Sequence, residues 1–540
     1  MALSRHINSD ELMNAARGVR RTVREKMSTH SLAYGSRYAT AEIPKWELPK
    51  HSSEPRTAYQ LVHDELELDG RPALNLASFV HTWMEPEADK LVMENINKNL
   101  SDQDEYPQTM VIHGRCISIL GNLWKIPKGQ NAVGTATVGS SEAIMLGGLA
   151  LKKRWQARQK AAGKDASKPN IIMGHNAQVA LEKFARYFDV ECRLVPVSKE
   201  SAYCLDIHKA IELVDENTIG VFVILGSTYT GHFEDVEGLS KLLDDYEAKT
   251  GISVPIHVDA ASGGFVAPFA FPHLKWAFDL PRVHSINTSG HKFGLAYPGI
   301  GWVLWRGQEY LPKELVFELH YLGGTELSYG LNFSRPACFM IAQYYNFIRL
   351  GWEGYTNITN NDLENARLLC RALEKTGYYE VVSDVHRPVG VRLYNAKTAM
   401  AGQVEPHGMV GKVLHKTENY TPSLPVVSFK FTEEFKKQYP HVQQALVSGL
   451  LRTKGWIVPN YPLPPNEDAT EILRVVVRES MTEDLIDMFM SDIIWYTEVS
   501  INSSGIEAEM FKRTNDALET YKPDVDHTTA HKPGTYAKQC

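Results

Sequence analysis

The chain has 540 residues, 43 % hydrophobic and 22 % charged, with 57 Lys and Arg against 64 Asp and Glu and a formal net charge of −7. That composition suits a large globular protein of several structural units and offers no basic stripe for nucleic acid. No run approaches the roughly eighteen apolar residues of a membrane span, so no membrane role is expected. At the N-terminus, Arg17, Arg20, Arg21 and Arg24 occupy the place where a signal peptide would need apolar residues. Ser9-Asp-Glu-Leu-Met reads instead as the capped start of a helix near 9–26, and Pro44, Pro49 and Pro55 mark an extended stretch after it. Residues 1–74 are thus expected to form an N-terminal arm.

From 75 to 352, short apolar runs alternate with helical segments. Asn170-Ile-Ile-Met, Glu191-Cys-Arg-Leu-Val, Gly220-Val-Phe-Val-Ile-Leu and Val254-Pro-Ile-His-Val-Asp read as strands buried on both faces. Helices at 142–155 and 236–249 supply the crossovers, which predicts an α/β domain on a mainly parallel sheet. A long helix at 353–376 ends at Gly377. Tyr379-Glu-Val-Val, Gly390-Val-Arg-Leu-Tyr, Val426-Val-Ser-Phe-Lys-Phe and Ile472-Leu-Arg-Val-Val-Val then alternate with helices near 440–454 and 482–496, a smaller α/β domain over 353–502. From 503 to 540 the apolar pattern fades into an expected flexible tail. Six scattered cysteines without metal spacing predict reduced thiols in a cytoplasmic protein, with no bound metal.

Three passages carry chemistry. Ser285-Ile-Asn-Thr-Ser-Gly-His-Lys292 brings a lysine to a strand end among apolar neighbours, where its pKa falls and it can form a Schiff base with an aldehyde. Upstream, Ile256-His-Val-Asp259 ends in a carboxylate able to hold a pyridinium nitrogen protonated, although Asp259 alone would equally suit a helix N-cap. Thr137-Val-Gly-Ser140-Ser141-Glu142 puts hydroxyls and free N–H groups at a helix start, a phosphate cup or a plain cap. Their order is what points to pyridoxal 5′-phosphate: cup, then Asp at a strand end, then Gly-His-Lys.

Together these passages resemble the α-decarboxylases dependent on that cofactor, with the aspartate-aminotransferase fold (fold type I), and among them the glutamate decarboxylases of bacteria, plants and fungi. The resemblance runs from about Leu74 to Trp495. It is most particular at Asn97-Lys-Asn-Leu-Ser-Asp-Gln-Asp-Glu-Tyr-Pro-Gln, His257-Val-Asp-Ala-Ala-Ser-Gly-Gly, Ser289-Gly-His-Lys-Phe-Gly and Asn332-Phe-Ser-Arg-Pro.

Position by position, the resemblance implies that Lys292 is the Schiff-base lysine and that Asp259 pairs with the ring nitrogen. It sets Ala261 and Gln178 against the two ring faces. Ser140, Ser141, Ser289 and His291 fall on the phosphate, Thr228 on the cofactor, and Ser334 reaches it from a second subunit. Ser78, the Phe79 backbone, and Asn99 and Asp102 of the neighbour would meet the distal carboxylate of L-glutamate, while Arg474 would hold its α-carboxylate. A homodimer or higher homo-oligomer with sites at the subunit interface is implied. A carboxylate beside Asp102 requires a shared proton, so a reaction favoured on the acid side is expected.

Calmodulin binding is not expected, because Lys512, Arg513, Lys522, Lys532 and Lys538 are outnumbered by acidic residues in a tail without tryptophan. His527 and His531 could close over the site, or lie in an inert tail. The other readings are a decarboxylase for a different amino acid, an aminotransferase, and an inactive relative serving as a scaffold. Asn99 and Asp102 speak against the first, the absence of a second carboxylate-binding arginine against the next, and intact Lys292, Asp259 and Arg474 against the last.

Overall fold

The computed structural model describes residues 48–319, 326–391, 393 and 416–503. The helix expected near 9–26 and the tail with His527 and His531 lie outside these residues. Within the expected extended arm, Pro55 opens a helix, Pro55–Leu66, because its fixed φ and missing N–H suit the first helical position.

The large sheet has seven strands: β1 (Val133–Thr137), β2 (Asn170–Gly174), β3 (Glu191–Val195), β4 (Thr218–Ile224), β5 (Ile256–Asp259), β6 (Val283–Ser289) and β7 (Gly301–Trp305). Their order is β1-β7-β6-β5-β4-β2-β3. The pairs from β3 through β6 are parallel, and β7 runs antiparallel to both β1 and β6. Every residue of β2, β4, β5 and β7 is buried, as continuous apolar runs require. β5 starts two residues later than expected, since Pro255 cannot donate to the ladder. A two-stranded antiparallel ribbon, β8 (Phe317–Leu319) and β9 (Glu326–Ser328), follows.

Helix Cys338–Lys375 links the two cores. Met340 and Ile341 pack into the large-sheet core, while Leu363, Leu369 and Leu373 pack into the second. It is two helical stretches that meet at Gly351, whose φ of 57° and ψ of −164° are not helical, so the second begins close to the expected 353. The second sheet, β10 (Tyr379–Val381), β11 (Val426–Phe431), β12 (Asn460–Pro462) and β13 (Glu471–Val476), has the order β10-β11-β13-β12 and is antiparallel throughout. The strand expected from Gly390 does not form over its described positions: Gly390 sits in a turn with φ 83°. Helix Glu483–Asn502 closes the small domain, longer than the expected 482–496. Among the described residues no helix is long and apolar enough to cross a membrane, no acidic, histidine and cysteine cluster could hold a metal, and Cys116, Cys192, Cys204, Cys338 and Cys370 are free thiols.

Candidate active site

β1 and β6 both run antiparallel to β7, so β1 points the same way as β4, β5 and β6. The carboxyl ends of all four strands therefore share one edge, the edge at which ligands bind in sheets of this kind. Each end delivers one of the passages read from the sequence: Gly139-Ser140-Ser141 after β1, Thr228 after β4, Asp259 at the end of β5, and Ser289 to Lys292 after β6.

The phosphate side of the site is built on close backbone approach. A Cβ on Gly301, the first residue of β7, would lie 2.5 Å from the Gly139 carbonyl carbon, so only glycine admits the start of helix Ser140–Ala161 there. Gly139 provides no side-chain cap, leaving the first N–H groups of this 22-residue helix for a ligand. Ser140 Oγ and Ser289 Oγ are hydrogen-bonded to each other. His291 donates from Nδ1 to the Ile300 carbonyl at 2.8 Å, and burial together with Lys292 lowers its pKa to about 4, which leaves a neutral ring. Ser141 is exposed at the same helix start.

At the opposite side, Lys292 Nζ lies 3.3 Å from Ser262 Oγ and 5.2 Å from the centre of the Phe79 ring. Burial pushes its pKa down to about 8; Arg474 acts in the same direction and Asp259 opposes it. Asp259, 4 % exposed, accepts from Asn287 Nδ2 at 2.8 Å and Ala261 N at 3.1 Å, both at Oδ1. Burial raises its carboxyl pKa, and Asn287 and Lys292 act against that rise. Arg474 is 1 % exposed in β13 and stacks over Phe79 at 5.0 Å. It donates to the carbonyls of Thr228 (2.8 Å) and Ala77, leaving three of its five N–H groups for other partners.

Segment 76–81 is strapped between the domains. Val476 N donates to the Leu76 carbonyl, Arg478 donates to the Val80 carbonyl, and His81 Nδ1 lies 3.1 Å from Glu479 Oε2. His81 N donates to the His291 carbonyl at 2.7 Å, so this strap reaches the lysine loop itself. Ser78 Oγ accepts from Val80 N, which holds the hydroxyl on the strap. The contribution of Phe79 extends beyond the backbone expected from the sequence: its buried ring is shared by two cations, Lys292 and Arg474. Gln178 caps helix Val179–Tyr187, its Oε1 accepting from Ala180 N at 2.6 Å.

Asn99, Asp102 and Ser334 form a separate group. Asn99 Nδ2 donates to Ser334 Oγ at 3.3 Å, Asn99 Oδ1 accepts from Arg335 N and Ser101 Oγ, and Asp102 N donates to the Asn99 carbonyl. None of these bonds touches Lys292, Asp259 or Arg474 of the same chain. Ser334 is exposed and Asn99 and Asp102 are half-buried. Glu142 anchors the segment behind them, accepting from Leu331 N and Asn332 N.

The pocket fits a flat, phosphate-bearing ring with an aldehyde. It has a helix N-terminus with two serines at one side and a low-pKa lysine at the other. A buried carboxylate acts on the lysine, and Thr228 Oγ1 is a buried hydroxyl without a hydrogen-bond partner among the described residues. Sequence reasoning missed His257, Ser262, Asn287, Arg478, Glu479 and Tyr461, whose ring lies 5.6 Å from the Arg474 guanidinium. For His257 a signal existed: a polar residue two positions before Asp259 on an otherwise apolar strand, hence on the same face.

Residues 49–391 match the pyridoxal-dependent decarboxylase conserved domain. A glutamate decarboxylase of Saccharomyces cerevisiae is 50 % identical over 468 residues, covering 83 % of this chain and 78 % of the relative. One of Solanum lycopersicum is 48 % identical, covering 87 % and 86 %. Among solved structures, the Lactobacillus brevis glutamate decarboxylase superimposes with a TM-score of 0.77 at 39 % identity, over 88 % of this chain and 99 % of that one. An Oryza sativa structure titled as TDC with PLP and tryptamine shares the fold at a TM-score of 0.66 and 15 % identity, over 93 % of this chain and all of that one. The chain belongs to the pyridoxal-dependent decarboxylase family, among its glutamate decarboxylases.

Proposed function

We propose that this chain removes the α-carboxylate of L-glutamate to give 4-aminobutanoate and carbon dioxide, with pyridoxal 5′-phosphate held on Lys292. The observation that carries the reading is one site in which Lys292 Nζ and the Arg474 guanidinium lie 5.2 and 5.0 Å from the centre of the same buried Phe79 ring, with the buried Asp259 acting on Lys292. When bound, the cofactor supplies an electron sink for the charge left at Cα by loss of carbon dioxide.

The protein groups have separable tasks. At pH 7 an amine with a pKa near 8 is uncharged in about a tenth of molecules, against well under a thousandth for an ordinary lysine near 10.4. Lys292 Nζ can therefore act as nucleophile and also carry protons near neutrality. Asp259 keeps a proton on the ring nitrogen beside it, the condition under which the ring accepts electrons. Arg474 binds the α-carboxylate and turns its bond to Cα across the ring plane. Ser140, Ser141, Ser289 and His291 hold the phosphate. Ala261 and Gln178 would lie against the two ring faces, and Thr228 would reach the cofactor. Ser78 and the Phe79 backbone take part in the distal end of the substrate.

The reading includes a homodimer in which Asn99, Asp102 and Ser334 serve the partner's pocket. In support, these three are bonded to one another and not to their own Lys292 pocket. It also includes a cytoplasmic location, in keeping with the free thiols. Incubating the protein with the cofactor and a panel of amino acids, while measuring carbon dioxide and amine release, tests the reading. Preferred release from an aromatic amino acid would overturn the substrate assignment.

A further inference from the structure

β5 and β6 pair in parallel with His257 opposite Ser285 and Asp259 opposite Asn287. Side chains two apart on a strand share a face, so this register lines up four polar groups inside the core. Ser285, His257 and Asn287 are fully buried and Asp259 nearly so. Three hydrogen bonds join them: Ser285 Oγ to His257 Nδ1 at 2.7 Å, His257 Nε2 to Asn287 Oδ1 at 2.7 Å, and Asn287 Nδ2 to Asp259 Oδ1 at 2.8 Å. An amide oxygen cannot donate, so the His257 proton sits on Nε2 and Nδ1 accepts from Ser285. Burial lowers the His257 pKa to about 4, which keeps the ring neutral and this sense unambiguous.

The fold makes room for the arrangement. A Cβ on Gly147 would lie 2.4 Å from His257 Cε1, so helix Ser140–Ala161 presents glycine where the imidazole stands. The Phe222 ring meets the imidazole edge-on at 5.1 Å and blocks rotation. With His257 fixed, the Asn287 amide has one satisfied orientation, with its N–H pair toward the carboxylate.

We propose that Ser285, His257 and Asn287 form a one-way hydrogen-bond relay in which Asn287 is a positioning residue, holding Asp259 ionised and turned toward the cofactor ring nitrogen. The proposal rests on the reading of Asp259 as the partner of that nitrogen. Both described hydrogen bonds to Asp259 fall on Oδ1, which leaves Oδ2 for the ring.

The test measures cofactor affinity of the apoprotein by absorbance titration, apoprotein thermal midpoint, kcat and KM for wild type, N287A, D259N and the double variant. Losing a charge-assisted hydrogen bond inside a core predicts that N287A binds the cofactor about tenfold more weakly and loses about tenfold or more in kcat, with KM within about twofold. In the D259N background N287A should add less than about twofold, because its effect passes through Asp259. The relay is overturned if N287A matches wild type in affinity and kcat, or if its effect is as large in D259N as in wild type.

Should N287A fail to fold, H257Q and H257L ask the same question, since glutamine keeps an N–H toward Asn287 and leucine does not. H257L should lose about tenfold in affinity and H257Q less than about threefold; equal affinities reject the relay. A D259N protein with wild-type affinity and turnover would instead reject the role of Asp259 itself. An inactive D259N beside a normal N287A rejects the relay alone.

Discussion

Two regions of this molecule carry chemistry, and they are built in opposite ways. Lys292 follows β6, Asp259 ends β5 and Arg474 lies within β13; Lys292 and Arg474 pack against Phe79, and hydrogen bonds with Ser262, Asn287 and the Thr228 carbonyl hold the three side chains. Asn99, Asp102 and Ser334 lie on connecting segments and are held by hydrogen bonds to one another and to Ser101, Tyr106 and Arg335. In the first region burial, helped by Arg474 and opposed by Asp259, pushes the Lys292 pKa down to about 8. In the second, the described hydrogen bonds of Asn99, Asp102 and Ser334 do not reach Lys292, Asp259 or Arg474 of the same chain. On the proposed roles, reactivity would sit in the rigid sheet and substrate choice in loops that serve a second copy, a division that would keep the reacting groups fixed while selectivity varies.

The sharpest way to break this picture is at the lysine. Lys292→Ala should abolish the yellow absorbance of the bound cofactor and lower turnover by at least about a thousandfold, with the circular dichroism spectrum unchanged. A band that survives borohydride reduction on another lysine would remove Lys292 from its role. Asp259→Asn should still bind cofactor but lose most activity; a loss under tenfold, about 1.4 kcal/mol, would show that the electron sink does not depend on it.

The division itself can be sharpened by mixing subunits. If Asp102 serves the partner's pocket, Lys292→Ala and Asp102→Ala subunits mixed in equal amounts should regain about a quarter of wild-type sites, one per mixed dimer. No recovery after exchange would confine each site to one chain. Alone, Asp102→Ala should raise KM for glutamate about tenfold and leave the cofactor spectrum intact. A wild-type kcat/KM across acid pH would exclude the contact.

The smallest effect concerns pH. Lys292 must lose its proton to capture the cofactor, so the rate of apoprotein reconstitution should climb with pH and level off above about 8. Stopped-flow absorbance reads this directly. A rate still climbing near pH 10 would mean that burial has not shifted the amine.

β2 and β4 were legible because a strand buried on both faces is largely apolar, while Asp259 at the end of β5, Gly-His-Lys292 after β6 and Gly-Ser-Ser before a helix stood out as polar groups. The β1 and β7 strands were harder to see, since glycine and threonine in Val133–Thr137 give no apolar run. Gly390 misled: an apolar run after glycine reads as a strand, yet its positive φ turns the chain. Arg474 was named from resemblance, but its stacking on Phe79 depends on two segments almost four hundred residues apart.

The sequence by itself determined which residue types could do the chemistry and on which local elements they sit, because hydrophobic period and turn residues act over a few positions. Only the tertiary structure decided what those residues meet. The reversal of β7 turns β1 into line with β4, β5 and β6, and the β5–β6 register sets Asn287 against Asp259. Segment 76–81 joins the small-domain arginines to the lysine loop. Such contacts depend on strand order and register, which are settled by packing over the whole core and leave no mark at any single position.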